Sequence, residues 1–140
     1  MITNEQKQAI IEYAKTQPIE VIYLFGSHAT NKVKPLSDYD FGVLFDEKVS
    51  KSERFDFKLD IMGFLSHIFK TDNVDVVDLN FASPAFRYEA MKPRCDIYTR
   101  LESQRVNFEF RAMQDFFDRL YYIKRHTTLG IAYIARHGLS

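Results

Sequence analysis

Asp38 and Asp40 stand one residue apart in "SDYDFGVLF", at the head of an apolar run. Acids are poor strand formers and usually avoid sheets, so two of them opening a strand need a reason. Side chains alternate along a strand, which sends Asp38 and Asp40 to one face and Tyr39 and Phe41 to the other. Their Cα atoms then lie about 7 Å apart, from the rise per residue of a strand. Without a cation the two carboxylates repel, and one tends to hold a proton. A divalent metal makes the pair favourable, and hard oxygen ligands of this kind suit Mg2+. A third acid, Asp75, lies between valines in "VDVVDL". If its strand neighbours that of Asp38 and Asp40, the three acids converge, and such a triad can hold two metal ions and position a triphosphate for in-line attack. Asp78 competes for the third place. It lies three residues on, faces the opposite side of an ideal strand, and falls nearer the strand end, where an exposed acid costs little.

The plainer account is that Asp38 caps a loop and Asp40 faces solvent, and for an isolated Asp-x-Asp it would be preferred. Gly26-Ser27, directly after the apolar "IEVIYLF", shifts the balance. A small pair there lets backbone N–H groups approach a phosphate closely, and the Ser27 hydroxyl adds a donor. Turns also use both residues freely, so Gly-Ser alone decides nothing. The combination carries the argument.

These residues must be positioned by elements that the sequence outlines. Thr3 with Gln6 reads as a capping box that opens a helix to about Thr16, with Ala9, Ile10, Tyr13 and Ala14 on its apolar face. Pro18 stops it. Ile19–Phe25 is rich in β-branched and aromatic residues and predicts a buried strand; 26–37 is a loop, and "DYDFGVLF" a second strand. "KSERFDFKLDIMGFLSHIFK" has helical spacing, with Phe55, Leu59, Met62 and Phe69 near one face. Asn73–Asn80 predicts a third strand, Ser83-Pro84 opens a short helix, and "CDIYTR" is a short fourth strand. From about Leu101 the chain turns helical to the region of His126, and a last helical piece, Leu129–Arg136, ends at Gly138. Strands interleaved with helices give an α/β (α+β) class, with the better strands in one sheet of undetermined order. The division expected is a core over 1–98 and a helical extension over 99–140.

Composition bounds the partners. With 140 residues, 46% hydrophobic and 27% charged, the chain is expected to form one soluble domain. A formal net charge of zero gives no overall pull toward nucleic acid or anionic lipid, and neither direct nucleic-acid binding nor a membrane partner is expected. Cys95 stands alone, which excludes an internal disulfide and a cysteine metal cluster and fits a reducing cytoplasm. "MITNEQKQAI" lacks a basic region followed by an apolar run, so no signal peptide is expected. His67, His126 and His137 have no ligand-like spacing, Cys95 reads as a small buried filler, and Tyr121-Tyr122 read as packing residues.

Gly-Ser, ten residues, then Asp-x-Asp between two apolar strands resembles the signature of the polymerase beta nucleotidyltransferase superfamily. The small size, "GSHA", "SDYDFGVLF" and "VDVVDL" look like its minimal nucleotidyltransferases, the MNT group, over roughly Ile19 to Leu79. The resemblance implies a small mixed β-sheet flanked by helices. It implies that Gly26 and Ser27 contact the nucleotide phosphates, that Asp38 and Asp40 bind metal, and that Asp75 completes the site and helps activate the acceptor hydroxyl. Ser37, just before the acids, is placed with the nucleotide-binding residues; it supports the loop, and no base is set to make it a nucleophile. Where many relatives carry Arg after Gly-Ser, this chain has His28, which gives less fixed positive charge and reads equally as a loop residue.

The reaction implied is transfer of a nucleoside monophosphate from a triphosphate to a hydroxyl, with ATP as donor and two Mg2+ in the family's manner. The acceptor is less legible. Val106, Phe110, Met113, Phe117 and Tyr121 fall on one helical stripe of the tail, and Phe108, Ala112, Phe116, Leu120 and Ile123 on a second. Two stripes imply burial on two sides, one of them against the core or against another chain. Basic residues Arg111, Arg119, Lys124 and Arg125 border them or form a solvated face. Small nucleotidyltransferases with helical tails are similar to the antitoxin half of HEPN/MNT toxin–antitoxin pairs. That resemblance implies a HEPN ribonuclease toxin as partner, and transfer of AMP to a tyrosine of that toxin. Two alternatives stand beside it: an antitoxin that only masks its toxin, and an enzyme acting on a small molecule such as an aminoglycoside.

Overall fold

The computed structural model of the chain describes residues 2–25, 39–89 and 94–137. Helix α1 (Asn4–Lys15) begins at the expected capping box, in which Thr3 Oγ1 accepts from the Gln6 amide and Gln6 Oε1 accepts from that of Thr3. Four strands follow in sequence: β1 (Ile19–Phe25), β2 (Tyr39–Phe45), β3 (Val74–Asp78) and β4 (Arg94–Thr99). They form one sheet in the order β3-β2-β1-β4. β1 runs antiparallel to both β2 and β4, whereas β2 and β3 are parallel. A parallel neighbour requires a crossover, which α2 (Lys51–Phe69) supplies. Helix α3 (Pro84–Glu89) and the long α4 (Glu102–His137) complete the fold.

Alternation along the strands divides the sheet into two unlike faces. Ile22, Leu24, Phe41, Val43, Val74 and Val76 point to α1 and α2 and form the main core with Ile10, Ala14, Ile61 and Leu65. Val21, Tyr23 and Leu79 point the other way, packed with Phe25, Leu44, Val77, Phe86 and Phe108. That second face lies under α3 and the start of α4.

Two helices differ from expectation. In α2 the inward residues are Ile61 and Leu65, with Phe57, Met62, Phe64 and Phe69 partly buried, while Phe55 and Leu59 are exposed. The helix is apolar on more than one side, so periodicity alone does not fix its rotation. Arg54 does, by reaching inward to Asp78 at the end of β3, 2.7 Å away. α4 is one helix through the expected break between His126 and Leu129; nothing in "HTTLG" is a proline, and its poor formers cost too little to interrupt it. The expected cap at Gly138 lies outside the described residues.

Candidate functional site

The register between β2 and β3 carries the site. Asp40 is the Cα partner of Asp75, and in parallel strands such partners project to the same face about 4.8 Å apart. Phe41, Val74 and Val76 belong to the main core, so Asp40 and Asp75 emerge on the other face, together with Leu44 and Val77. Asp75 is exposed and Asp40 half-buried.

This register is held at both ends of the pairing. The Tyr39 amide donates to the Asn73 carbonyl at 2.8 Å, and the Leu79 amide to that of Val43 at 2.9 Å. Beyond the strand, the Asn80 side chain brackets Phe45, accepting from its amide at 2.8 Å and donating to its carbonyl at 3.1 Å. Arg87 of α3 then ties down the turn through the carbonyls of Leu79 and Asn80. A slip of one residue would send Asp75 into the core, so these contacts select the face on which the acid appears.

Gly26, Ser27, Ser37 and Asp38 lie outside the described residues, as does His28. The ends that bracket them are described. Phe25, the last residue of β1, pairs with Asp40 on one side and with Arg94 on the other. Asp75, Asp40, Phe25 and Arg94 thus form a single row across the sheet, at the edge from which the 26–38 segment leaves and returns. Gly42 lies two residues along from Asp40. A Cβ there would stand 2.9 Å from Phe25 Cε1 and 3.1 Å from Leu79 Cδ1, so its absence lets both side chains close over the strand.

Asp78 is the competing acid, and the expectation that it is a cheap exposed acid is corrected. Its side chain is 19% exposed, its Oδ2 pairs with Arg54, and its Oδ1 accepts from the Asn80 amide at 2.9 Å. It faces α2, opposite to Asp75, and its charge is spent on holding the helix.

A polar cluster on the same face as Asp40 and Asp75 was not anticipated. Glu109 of α4 accepts from the Tyr23 hydroxyl at 2.9 Å and pairs with Arg94 at 2.6 Å. Arg105 binds both of its oxygens, at 2.9 and 3.0 Å. Arg94 also pairs with Asp96 at 2.7 Å and lies 5.0 Å over the Tyr23 ring. Burial, with the Glu109 carboxylate alongside, pushes the Tyr23 hydroxyl well above the ordinary phenol range. The sequence held only faint signals: one hydroxyl inside an apolar strand, and Arg and Asp two apart in β4.

Of the two stripes on α4, the second begins as packing: Ala112 is buried, Phe108 lies against the sheet, and Phe116 stacks on Tyr88 at 4.2 Å. The first stripe is open, with Val106, Phe110, Met113, Phe117 and Tyr121 all exposed. Leu120, Tyr122 and Ile123 are exposed too, so Tyr121-Tyr122 are not packing residues of this chain alone. Cys95 is half-buried against the main core. Among the described residues no group of three or more His, Cys, Asp or Glu is arranged to hold a metal, and no helix is long and apolar enough to cross a membrane.

The family model described as "Polymerase beta, Nucleotidyltransferase" matches residues 8–103. The chain belongs to that family. Its mixed four-stranded sheet with flanking helices is the family's α+β fold. Among curated proteins, "Protein adenylyltransferase MntA" of Aphanizomenon flos-aquae (strain 2012/KM1/D3) is 36% identical over 75 residues, which cover 46% of this chain and 47% of that protein. The chain therefore spans about half the length of the curated relative it matches. Among solved structures, a toxin–antitoxin crystal structure with AMP-PNP is similar at a TM-score of 0.66 and 18% identity, over 93% of this chain and 99% of that one. A structure of tri-AMPylated Shewanella oneidensis HEPN toxin in complex with MNT antitoxin is similar at 0.64 and 17% identity, over 94% and 99%. At these identities the likeness is one of fold.

Proposed function

We propose that this chain is a Mg2+-dependent protein adenylyltransferase that moves AMP from ATP to a tyrosine hydroxyl of a cognate HEPN ribonuclease toxin, and so acts as its antitoxin in the cytoplasm. The observation that carries the reading is Asp75 standing opposite Asp40, on the face of the sheet turned away from the main core, in the row that ends β1 at Phe25. In the proposed site Gly26, Ser27 and Ser37 hold the nucleotide, and Asp38, Asp40 and Asp75 form the carboxylate set.

The residues fit a divalent cation: two hard oxygen donors share a face and a register, and Asp75 is exposed to receive a ligand. When bound, the metal supplies positive charge beside the triphosphate. The acceptor oxygen bonds to the α-phosphorus as the bond from that phosphorus to the pyrophosphate oxygen breaks. The hydroxyl proton passes to Asp75, since a phenol with an ordinary pKa of ~10 needs a base near neutrality. The extension over residues 99–140 supplies the docking surface through the open stripe of α4. The name of the curated relative and the fold shared with toxin–antitoxin chains support the same reading.

That open stripe also favours a second reading, in which binding alone neutralises the toxin. The two are separated by D38A/D40A, incubated with ATP labelled on the α-phosphate and a cognate HEPN chain. Transfer is expected to fall by about a thousandfold while the complex still forms. If the variant neutralises the toxin fully, and the parent chain never labels it, the enzymatic reading is wrong.

A further inference from the structure

Glu109 is the point at which α4 is tied directionally to the sheet. Its carboxylate takes a hydroxyl from β1 and a guanidinium from β4, while Arg105, one turn back on α4, locks its rotamer. Among the described residues, the other contacts shown between α4 and the rest of the fold are apolar or made through ring faces: Phe108 on the sheet and under the Arg87 guanidinium, Ala112 in close approach, Phe116 and Phe117 on Tyr88. Apolar contact holds two surfaces together without fixing an angle, whereas a shared carboxylate with three donors fixes one.

The angle matters because α4 projects. From Glu109 to His137 is 28 residues, about 42 Å of helix at the usual rise. All described side chains from Phe117 to Thr127 are exposed. A swing of about 10° at Glu109 would displace Phe117 by roughly 2 Å and the far end by roughly 7 Å, given that rise. Arg94, the sheet-side anchor, stands in the same row as Asp40 and Asp75. The cluster therefore links the row that carries the acids to the helix that carries the open stripe.

We propose that Glu109, gripped by Tyr23 and Arg94, is a positioning residue: it sets the direction of α4 against the acid-bearing face, so that an acceptor docked on α4 meets the nucleotide at bonding distance. The catalytic part of this rests on the transfer reading above. The orienting part does not.

The test uses the full chain with Cys95→Ser and spin labels at Asp72→Cys and Lys124→Cys, in parent, Glu109→Ala, Glu109→Gln and Tyr23→Phe backgrounds. The parent is expected to give one narrow distance distribution. Glu109→Ala should broaden it or shift it by several ångströms, and Glu109→Gln, which keeps an acceptor for Tyr23, should recover most of the narrowness. With the HEPN chain and labelled ATP, Glu109→Ala and Tyr23→Phe should lower kcat by about 10- to 100-fold, the cost of a misplacement near 1 Å. Affinities for ATP and for the HEPN chain should stay within about threefold, a split that general unfolding would not produce. An unchanged distance distribution in Glu109→Ala, or a loss confined to HEPN affinity, overturns the proposal. If the parent chain binds the HEPN chain but never labels it, the transfer reading fails alone, and the distances still uphold or overturn the orienting role.

Discussion

The two faces of the sheet use charge in opposite ways. Toward α1 and α2 the surface is apolar to its rim, and the one acid of β3 on that side, Asp78, is neutralised by Arg54. Toward α3 and α4 the apolar patch is small, and beside it lie Asp40, Asp75 and the Tyr23–Arg94–Glu109 cluster. Buried charge is tolerated only when it is paired, so an acid left exposed on a strand beside another acid is not there for stability. One face builds the fold and the other is available for chemistry.

Asp75 and Asp78 test that contrast most severely, since they share a strand and differ in face. Asp75→Asn is expected to cost about a thousandfold in transfer, with a change in stability within about 0.5 kcal/mol. Asp78→Ala should do the reverse: about 3 kcal/mol lost in denaturant unfolding, because the largely covered Arg54 loses its carboxylate and keeps only its bond to the Val49 carbonyl, with transfer per folded molecule unchanged. Exchanged outcomes would invert the assignment of the faces.

A smaller effect comes from Glu20, at the far end of β1. It is 8% exposed, its Oε2 has no hydrogen-bond partner among the described residues, and Arg100 stands 3.6 Å from Oε1. Burial raises its pKa above the ordinary carboxylate value, against the pull of Arg100. A carboxyl whose folded pKa is raised stabilises most when protonated, and that contribution is lost as pH rises through the raised value. Glu20→Gln should therefore melt about 2–4 °C above the parent at pH 8, with the gap closing toward pH 4. A constant gap across that range would mean that Glu20 is not the titrating group. The smallest expected effect is at Lys70, which caps α2 with φ 54°, a left-handed conformation that suits glycine. Lys70→Gly should raise stability by about 0.5 kcal/mol, read in the same unfolding assay.

The strands, the capping box and the opposite facing of Asp75 and Asp78 were legible because each follows from local alternation or spacing. Strand order, the rotation of α2 and the continuity of α4 were not. Arg54 pairs with a residue 24 positions away and Tyr23 with one 86 away, and no periodicity links such partners. Phe55 and Leu59 illustrate the limit: their spacing suits a helix face, but which face turns inward depends on Asp78, which belongs to another element. The proposed roles of Gly26, Ser27, Ser37 and Asp38 rest on residue types alone, since these residues lie outside the described ones, whereas the pairing of Asp40 with Asp75 is seen in the sheet.

Asn80 bracketing Phe45 has one more consequence. The strands are aligned by backbone pairing and by an amide that takes no part in the proposed reaction, so the exposed Asp75 is a passenger on the scaffold it decorates. Activity in such an architecture is detachable. On the proposed reading, a single substitution at Asp75 is expected to leave a folded chain that no longer transfers AMP, so evolution could silence or retune the reaction without having to rebuild the protein.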